Sequence, residues 1–459
     1  MEFIGRKEYL DKLKDAIATK GFFATLIYGR RRVGKSELIK ELIRKTKIKS
    51  IYYECKQVSE ANNASSLANI FSETFNYPKL DYNTMESILD YIFSYSIKNN
   101  LTLVLDEYPY LRETIKGIDS VLQSLIDKYK NKSKLKIVLL GSYVDVMKSL
   151  LEHSNPLYGR IDLTIDLKPM DYYESSLFYK NFTPEDKVRI YSVFGGIPYY
   201  NSLINDKITV KENIINLIAS QGSRLENEVS MYLNAEISKI INANEVFEAL
   251  AKGYSRYNDI LSQSHVTSGP TLVDTLNKLI KMEVVTKVSP INDSNNKKKV
   301  GYYISDNLSL FYYRYIFKYL SQMKIMDPND FYSKYIEKDF EEFYVPSQFE
   351  DISKQYLINL NKAGKIKPPF NDIGKYYYDK PKEHKNGEFD IVTKNDKGYV
   401  FYEVKFKKNP IKKSIIKEEI EQVSKTGFIC NKYVFISRSK IEKTDIDNIE
   451  IIYLKDLYA

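Results

Sequence analysis

The chain has no tryptophan, and its 459 residues include only two cysteines and three histidines. Cys55 and Cys430 stand far apart, with His153, His265 and His384 scattered between them. Neither a disulfide framework nor a zinc finger can be built from that spacing, so any metal must be held by oxygen ligands. Long apolar runs are also missing: no stretch of about 18 uncharged apolar residues exists, and the opening MEFIGRKEYLDKLKD is charged where a signal peptide needs an apolar core. The expectation is a cytoplasmic protein. There are no repeats or low-complexity linkers. What is present is the balance of an ordinary globular chain, 43% apolar and 28% charged, long enough for several domains. The net charge of +9 suits a polyanionic partner such as DNA, and suits a solvated lysine-rich surface equally well. Forty tyrosines alongside much lysine, isoleucine and asparagine point to an AT-rich genome, a codon bias with no bearing on function.

The run FFATLIYG, 22–29, is apolar, β-rich and closed by glycine, and KSELIKELIRK from Lys35 places Leu38, Ile39, Leu42 and Ile43 at helical spacing. Between strand and helix lie Gly29, Arg30, Arg31, Arg32, Val33, Gly34, Lys35 and Ser36, which fit GxxxxGK[ST] without a mismatch. In such a loop the glycines let backbone N–H groups wrap a phosphate and the helix N-terminus adds positive potential. Lys35 reaches the β and γ phosphates of ATP, and Ser36 offers its hydroxyl to Mg²⁺.

A P-loop needs a carboxylate for the Mg²⁺ shell and, for hydrolysis, a second one to orient water. LTLVLDEYPYL, 101–111, supplies both: a buried strand through Leu103, Val104 and Leu105 ends in Asp106, the metal-holding candidate, and Glu107, the water-polarising candidate. KLKIVLLGS, 134–142, is another buried strand, ending in Ser142, a γ-phosphate-sensing candidate. By analogy this strand lies between the P-loop strand and the Asp-Glu strand. SIYYEC (50–55) and RIDLTIDL (160–167) complete a five-stranded parallel sheet of an α/β fold.

Taken together, FIGRKEYLDKL (3–13), GRRRVGKS, LVLDEYPYL, LLGSYVDVM and PLYGR (156–160) resemble the archaeal-type ATPase family of the AAA+ group. The resemblance implies that the segment with Gly5 and Arg6 packs near adenine. It also implies that GGIPYY, 195–200, is a helical-lid motif whose Pro198 sits over the base. Arg160 is then either a γ-phosphate sensor or finger for a neighbouring subunit of a homo-oligomer, or a surface arginine ending a turn.

After Pro169, aromatics at helical spacing read as a lid core. Residues 244–306 run helix, short helix, helix and hairpin, the order of a winged helix-turn-helix whose second helix begins near Ser268 to Thr271. That helix is poor in basic residues, which favours a protein-protein spacer, while Lys297 to Lys299 in the wing keep DNA contact open. LSLFYYRYIFKYLSQM, 308–323, is a bridging helix with too many charges and tyrosines to span a bilayer.

Near the C-terminus, EFDIV and GYVFYEVKF read as antiparallel strands joined by KNDKG. Alternation puts Glu403 and Lys405 on one face, within reach of Asp390 from the partner strand. Two carboxylates and an amine so placed can hold Mg²⁺ and steady a phosphorane's charge. Asp390, then Glu403-x-Lys405, resembles the PD-(D/E)xK nuclease superfamily, although the superfamily's Pro-Asp pair is lacking. The resemblance adds Glu350, on a leading helix, as a metal ligand, and makes Gln422, on a following helix, a lesser candidate. Lys405, Lys407, Lys408, Lys412 and Lys413 favour nucleic-acid contact. The expected organisation is an ATPase core at 1–168, a lid at 169–240, a winged helix at 241–306, a bridge at 307–345 and a nuclease-like domain at 346–459. The expected function is ATP-driven action on DNA, the alternative being a nucleotide-dependent switch whose C-terminal domain binds without cleaving.

Overall fold

The computed structural model describes residues 3–231, 240, 242–380, 385–427, 432–442 and 449–459. His384 and Cys430, counted above, lie outside them. The chain divides into two compact units, Met1–Met170 with Ile197–Tyr199, and Asp171–Gly196 with Tyr200–Ala459.

The first unit is built on five parallel strands: β1 (Phe23–Tyr28), β2 (Ser50–Glu54), β3 (Leu101–Asp106), β4 (Leu135–Gly141) and β5 (Leu163–Asp166). Their order is β2-β3-β4-β1-β5, so β4 does lie between the P-loop strand and the Asp-Glu strand. Every residue of β3 and β4 is buried, including Thr102 and Lys136, which is why both read as mostly apolar runs and not as alternating ones. Helix α1 (Lys7–Ala18) buries Leu10, Leu13 and Ala16, and α2 (Lys35–Thr46) buries Leu38, Ile39 and Leu42, each along one stripe. In an open parallel sheet the carboxyl ends of the strands form the crevice, and here those of β1, β4 and β3 are adjacent, bringing Gly29, Ser142 and Asp106 together.

The second unit gathers the helices after Met170, the 244–306 segment, the helical stretch from Asn307 and the C-terminal sheet. Helices Ala243–Ala251, Tyr257–Gln263 and Gly269–Lys281 precede an antiparallel hairpin of β6 (Val285–Val288) and β7 (Gly301–Ile304), the expected order. Ser268 caps the third helix, accepting from Thr271 N–H. The bridge is helical from Asn307 to Ile325 but widens to a π turn over Tyr312–Ile316 and tightens to 3₁₀ at Phe317–Tyr319. Phe311, Tyr312, Tyr313, Tyr315 and Ile316 are all buried, and Tyr313 stacks on Phe247 with ring centres 4.9 Å apart.

At the C-terminal end, helix Val345–Lys362 is followed by β8 (Asp372–Lys380), β9 (Lys385–Asn395), β10 (Gly398–Lys405), helix Lys413–Ser424, β11 (Tyr433–Ser437) and β12 (Ile449–Tyr453). The order is β12-β11-β10-β9-β8, antiparallel from β8 to β10 and parallel from β10 to β12. The sequence reading identified β9, β10 and both helices but not β8, β11 or β12.

Candidate functional site

Two clusters of chemistry emerge, one in each unit. In the first, β1 ends at Tyr28 and the chain turns through residues 29–34 into α2. A Cβ at Gly29 would run into the Leu167 carbonyl oxygen, and Gly34, at φ 95°, sits in the left-handed region as the N-cap of α2, so both motif glycines are required by backbone geometry. Lys35 is buried and donates to the carbonyls of Gly29 and Arg30 at 2.8 and 3.0 Å, curling its ammonium into the loop. Buried Val33 has its carbonyl held by Arg6, whose Nη2 donates at 3.2 Å. Arg30 is buried. Arg31 donates to the Tyr143 hydroxyl at 3.0 Å, and the Arg32 guanidinium lies over the Tyr199 ring, 4.3 Å from its centre. Pro198 stands 3.7 Å from where a Cβ at Gly34 would be, so the proline of GGIPYY meets the loop itself.

The acidic pair stands at the tip of β3. Asp106 is buried; its Oδ2 accepts from Ser36 Oγ at 2.6 Å and from the Tyr52 hydroxyl, and its Oδ1 accepts from Glu107 N–H at 2.9 Å. Ser36 and Asp106 thus already present paired oxygens, the donor set that a magnesium ion with its water shell requires. Glu107 adopts φ 51°, unusual for a residue with a side chain, and its carboxylate accepts from Ser142 Oγ and, at 3.3 Å, from Ser142 N–H. Ser142 is therefore tied to the water-polarising candidate. Burial pushes the Tyr52 hydroxyl and the Cys55 thiol well up, so both keep their protons beside the carboxylates.

Arg160 is elsewhere. Its Nε and Nη2 grip Asp127, at 3.1 and 2.7 Å to the nearer oxygens, and its Nη1 donates to the carbonyls of Pro156 and Tyr158. Of the two readings, these contacts match an arginine that ends a turn, stapling PLYGR to helix Ile118–Tyr129. A fork-shaped guanidinium finds its geometric match in a nearby carboxylate, which sequence spacing does not reveal.

In the second unit, Glu403 and Lys405 do share a face and pair directly, and Lys405 also reaches Glu419 at 3.0 Å. Tyr402 pairs with Ile391, so Asp390 lies one step further along, opposite Glu403. The β8–β9 register shifts between Gly374 and Tyr376, leaving two residues of β9, Asp390 and Ile391, against the single Lys375. A bulge of this kind re-aims side chains, and Lys375 bonds Asp390 at 3.0 Å and Glu388 at 2.8 Å. Glu350 joins from helix Val345–Lys362: burial, then repulsion from Asp390, pushes its carboxyl up to about 8, and burial likewise lifts Glu403 to about 7. Clustered carboxylates that resist ionising are a donor set a divalent cation would relieve. Among the described residues, however, no three acidic, histidine or cysteine side chains form a ready-made cation cage. Lys375 and Glu419 escaped the sequence reading, because neither stands in a motif and β8 was not recognised. Gln422 lies on the following helix.

The segment joining β6 to β7 is engaged with this sheet. Ile291 N–H donates to the Lys375 carbonyl at 2.7 Å, Asn292 exchanges two hydrogen bonds with the Tyr377 backbone, and Lys299 pairs with Asp293 and lies over the Tyr377 ring. On helix Gly269–Lys281, Lys278 pairs with Asp274. Lys407, Lys408 and Lys412, by contrast, are exposed.

With both sites in view, similarity to known proteins becomes informative. Residues 3–203 match a family described as "ATPase domain predominantly from Archaea", and residues 312–423 match one described as "Archaea bacterial proteins of unknown function". An uncharacterized protein of Methanocaldococcus jannaschii is 28% identical over 462 residues, spanning 99% of each chain. Among solved structures, the Walker-type ATPase PABY2304 of Pyrococcus abyssi is 19% identical, at a TM-score of 0.49, over 68% of this chain and 96% of that one. The ORC2 protein of Aeropyrum pernix, in ADPNP and ADP complexes, is 13% identical at 0.41 over 69% and 91%. No described helix is long and apolar enough to cross a membrane. The segment that carries the glycine loop and the acidic strand end is thus similar to the archaeal ATPase-domain family, and the segment that carries Glu350, Asp390, Glu403 and Lys405 is similar to those archaeal and bacterial proteins of unknown function.

Proposed function

We propose that the protein binds and hydrolyses ATP with Mg²⁺ in its first unit and uses the nucleotide state to direct the second unit on DNA. The observation that carries this reading is the convergence of Ser36, Asp106, Glu107 and Ser142 beside the glycine loop, by the hydrogen bonds described. Lys35, Ser36 and the loop bind the triphosphate, Asp106 and Ser36 hold the cation, and Glu107 orients water. Bound Mg²⁺ supplies charge neutralisation between the phosphates. The exposed lysines after β10 contact the DNA backbone, and Asp390, Glu403 and Glu350 hold a cation for phosphodiester cleavage with Lys405 beside them. Assembly into a homo-oligomer belongs to the same proposal.

A second reading has its own support. Lys375 and Lys405 already neutralise Asp390 and Glu403, which favours a domain that binds DNA or a protein partner without cutting. The deciding experiment incubates the protein with plasmid, linear and single-stranded DNA, with and without ATP and Mg²⁺ or Mn²⁺, alongside Lys35→Ala and Asp390→Ala. Cleavage lost in Asp390→Ala establishes the nuclease. Nucleotide-dependent DNA retention without cleavage establishes the second reading, and no nucleotide uptake by the folded protein refutes both.

A further inference from the structure

Neither the P-loop motif nor the acidic strand end accounts for Tyr52. It belongs to β2, the edge strand, which pairs with β3 so that Tyr52 lies across from Val104 and Glu54 across from Asp106. From there its half-buried side chain reaches the tip of β3 and donates to Asp106 Oδ2, the oxygen that Ser36 Oγ also bonds. The Lys40 ammonium, one turn beyond Ser36 on α2, lies 5.9 Å from the centre of the Tyr52 ring, so the ring packs along the helix that carries the loop's serine. Asp106 is thereby held from three elements: α2 through Ser36, β2 through Tyr52 and its own strand end through Glu107 N–H.

We infer that Tyr52 is a positioning residue for magnesium, fixing Asp106 Oδ2 so that the placing of this oxygen does not depend on Ser36 alone. This rests on the proposed Mg²⁺–ATP reading of the first unit. Glu107 N–H holds Oδ1, but Oδ2 would lose its other donor when Ser36 turns its oxygen to a cation. A phenol donating from a separate strand keeps it in place. Tyr52 touches neither phosphate nor water in this role and acts through Asp106.

The test is equilibrium binding of a fluorescent ATP analogue to the full-length protein and to Tyr52→Phe, in EDTA and across a Mg²⁺ titration, with circular dichroism to verify folding. Phenylalanine keeps the ring and removes only the donor. The Mg²⁺ concentration for half-maximal enhancement of binding should rise about tenfold or more, the loss expected for a hydrogen bond to a charged group, while affinity in EDTA stays unchanged. Ser36→Ala and the double variant complete a cycle in which the effect of Tyr52→Phe should grow in the Ser36→Ala background, where Tyr52 is the remaining side-chain anchor. An unchanged Mg²⁺ requirement overturns the inference, as does an equal fall in EDTA and Mg²⁺, which would make Tyr52 a support of the loop. Wild-type protein that takes up no nucleotide would overturn the underlying reading instead, so the two failures are distinguishable.

Discussion

Replacing Glu350 with glutamine gives a quantitative test of the second cluster. In the wild-type protein, burial and the nearby Asp390 hold this carboxyl at about 8, against an ordinary value of 4.5. Between those values the folded chain keeps a proton that the unfolded chain has shed, so the stabilisation is fully present at low pH and is lost as pH rises toward 8. The ceiling is about 3.5 pH units at about 1.4 kcal/mol each, roughly 5 kcal/mol, and the span from about pH 5.5 to 8 accounts for about 3 of it. Glu403, lifted to about 7 with Asp390 among its causes, shares part of the same proton, so the two shifts do not add. Because the chain holds two compact units, a global melt would blend their transitions. Hydrogen exchange of amides in helix Val345–Lys362 is the suitable assay, run in EDTA and corrected for intrinsic rates. Wild type should lose about 2–3 kcal/mol of protection from pH 5.5 to 8, and Glu350→Gln should lose clearly less across the same window, keeping only the slope that buried Glu403 contributes. Parallel profiles would show that the carboxylates do not crowd one another, removing the reason to expect a cation there.

Other expectations are simpler. Gly29→Ala should cost about 1–3 kcal/mol in thermal unfolding of the first unit and weaken nucleotide binding, because the new Cβ collides with the Leu167 carbonyl. Arg160→Ala should lower stability by less than about 1 kcal/mol, the range of partly exposed ion pairs, and leave single-turnover ATP hydrolysis intact; a large loss of hydrolysis would restore Arg160 as a sensor or finger. Asn292→Ala should speed hydrogen exchange at the Tyr377 amide about tenfold or more, since that N–H loses its partner from the β6–β7 connection.

Much of the first unit was legible from the sequence for a physical reason. A parallel sheet covered on both faces needs uninterrupted apolar strands, and a phosphate loop needs glycine where backbone turns left-handed or approaches its neighbours. Both demands are local and leave a mark in consecutive residues. Glu403, Lys405 and Asp390 were likewise readable from strand alternation. β8, β11 and β12 were not: GKYYYDK has no clean two-residue pattern beside its bulge, and the short YVFIS and IEIIY look like many other apolar runs.

What the sequence determined by itself was the inventory: the loop, the acidic strand end, and two carboxylates with a lysine near the C-terminus. Tertiary structure decided the partners. Tyr52 meets Asp106 across 54 residues, Lys375 meets Asp390 across a bulge, and Arg160 turns to Asp127. Such pairings follow from strand order and register, which depend on how whole elements pack and which no short stretch of residues encodes.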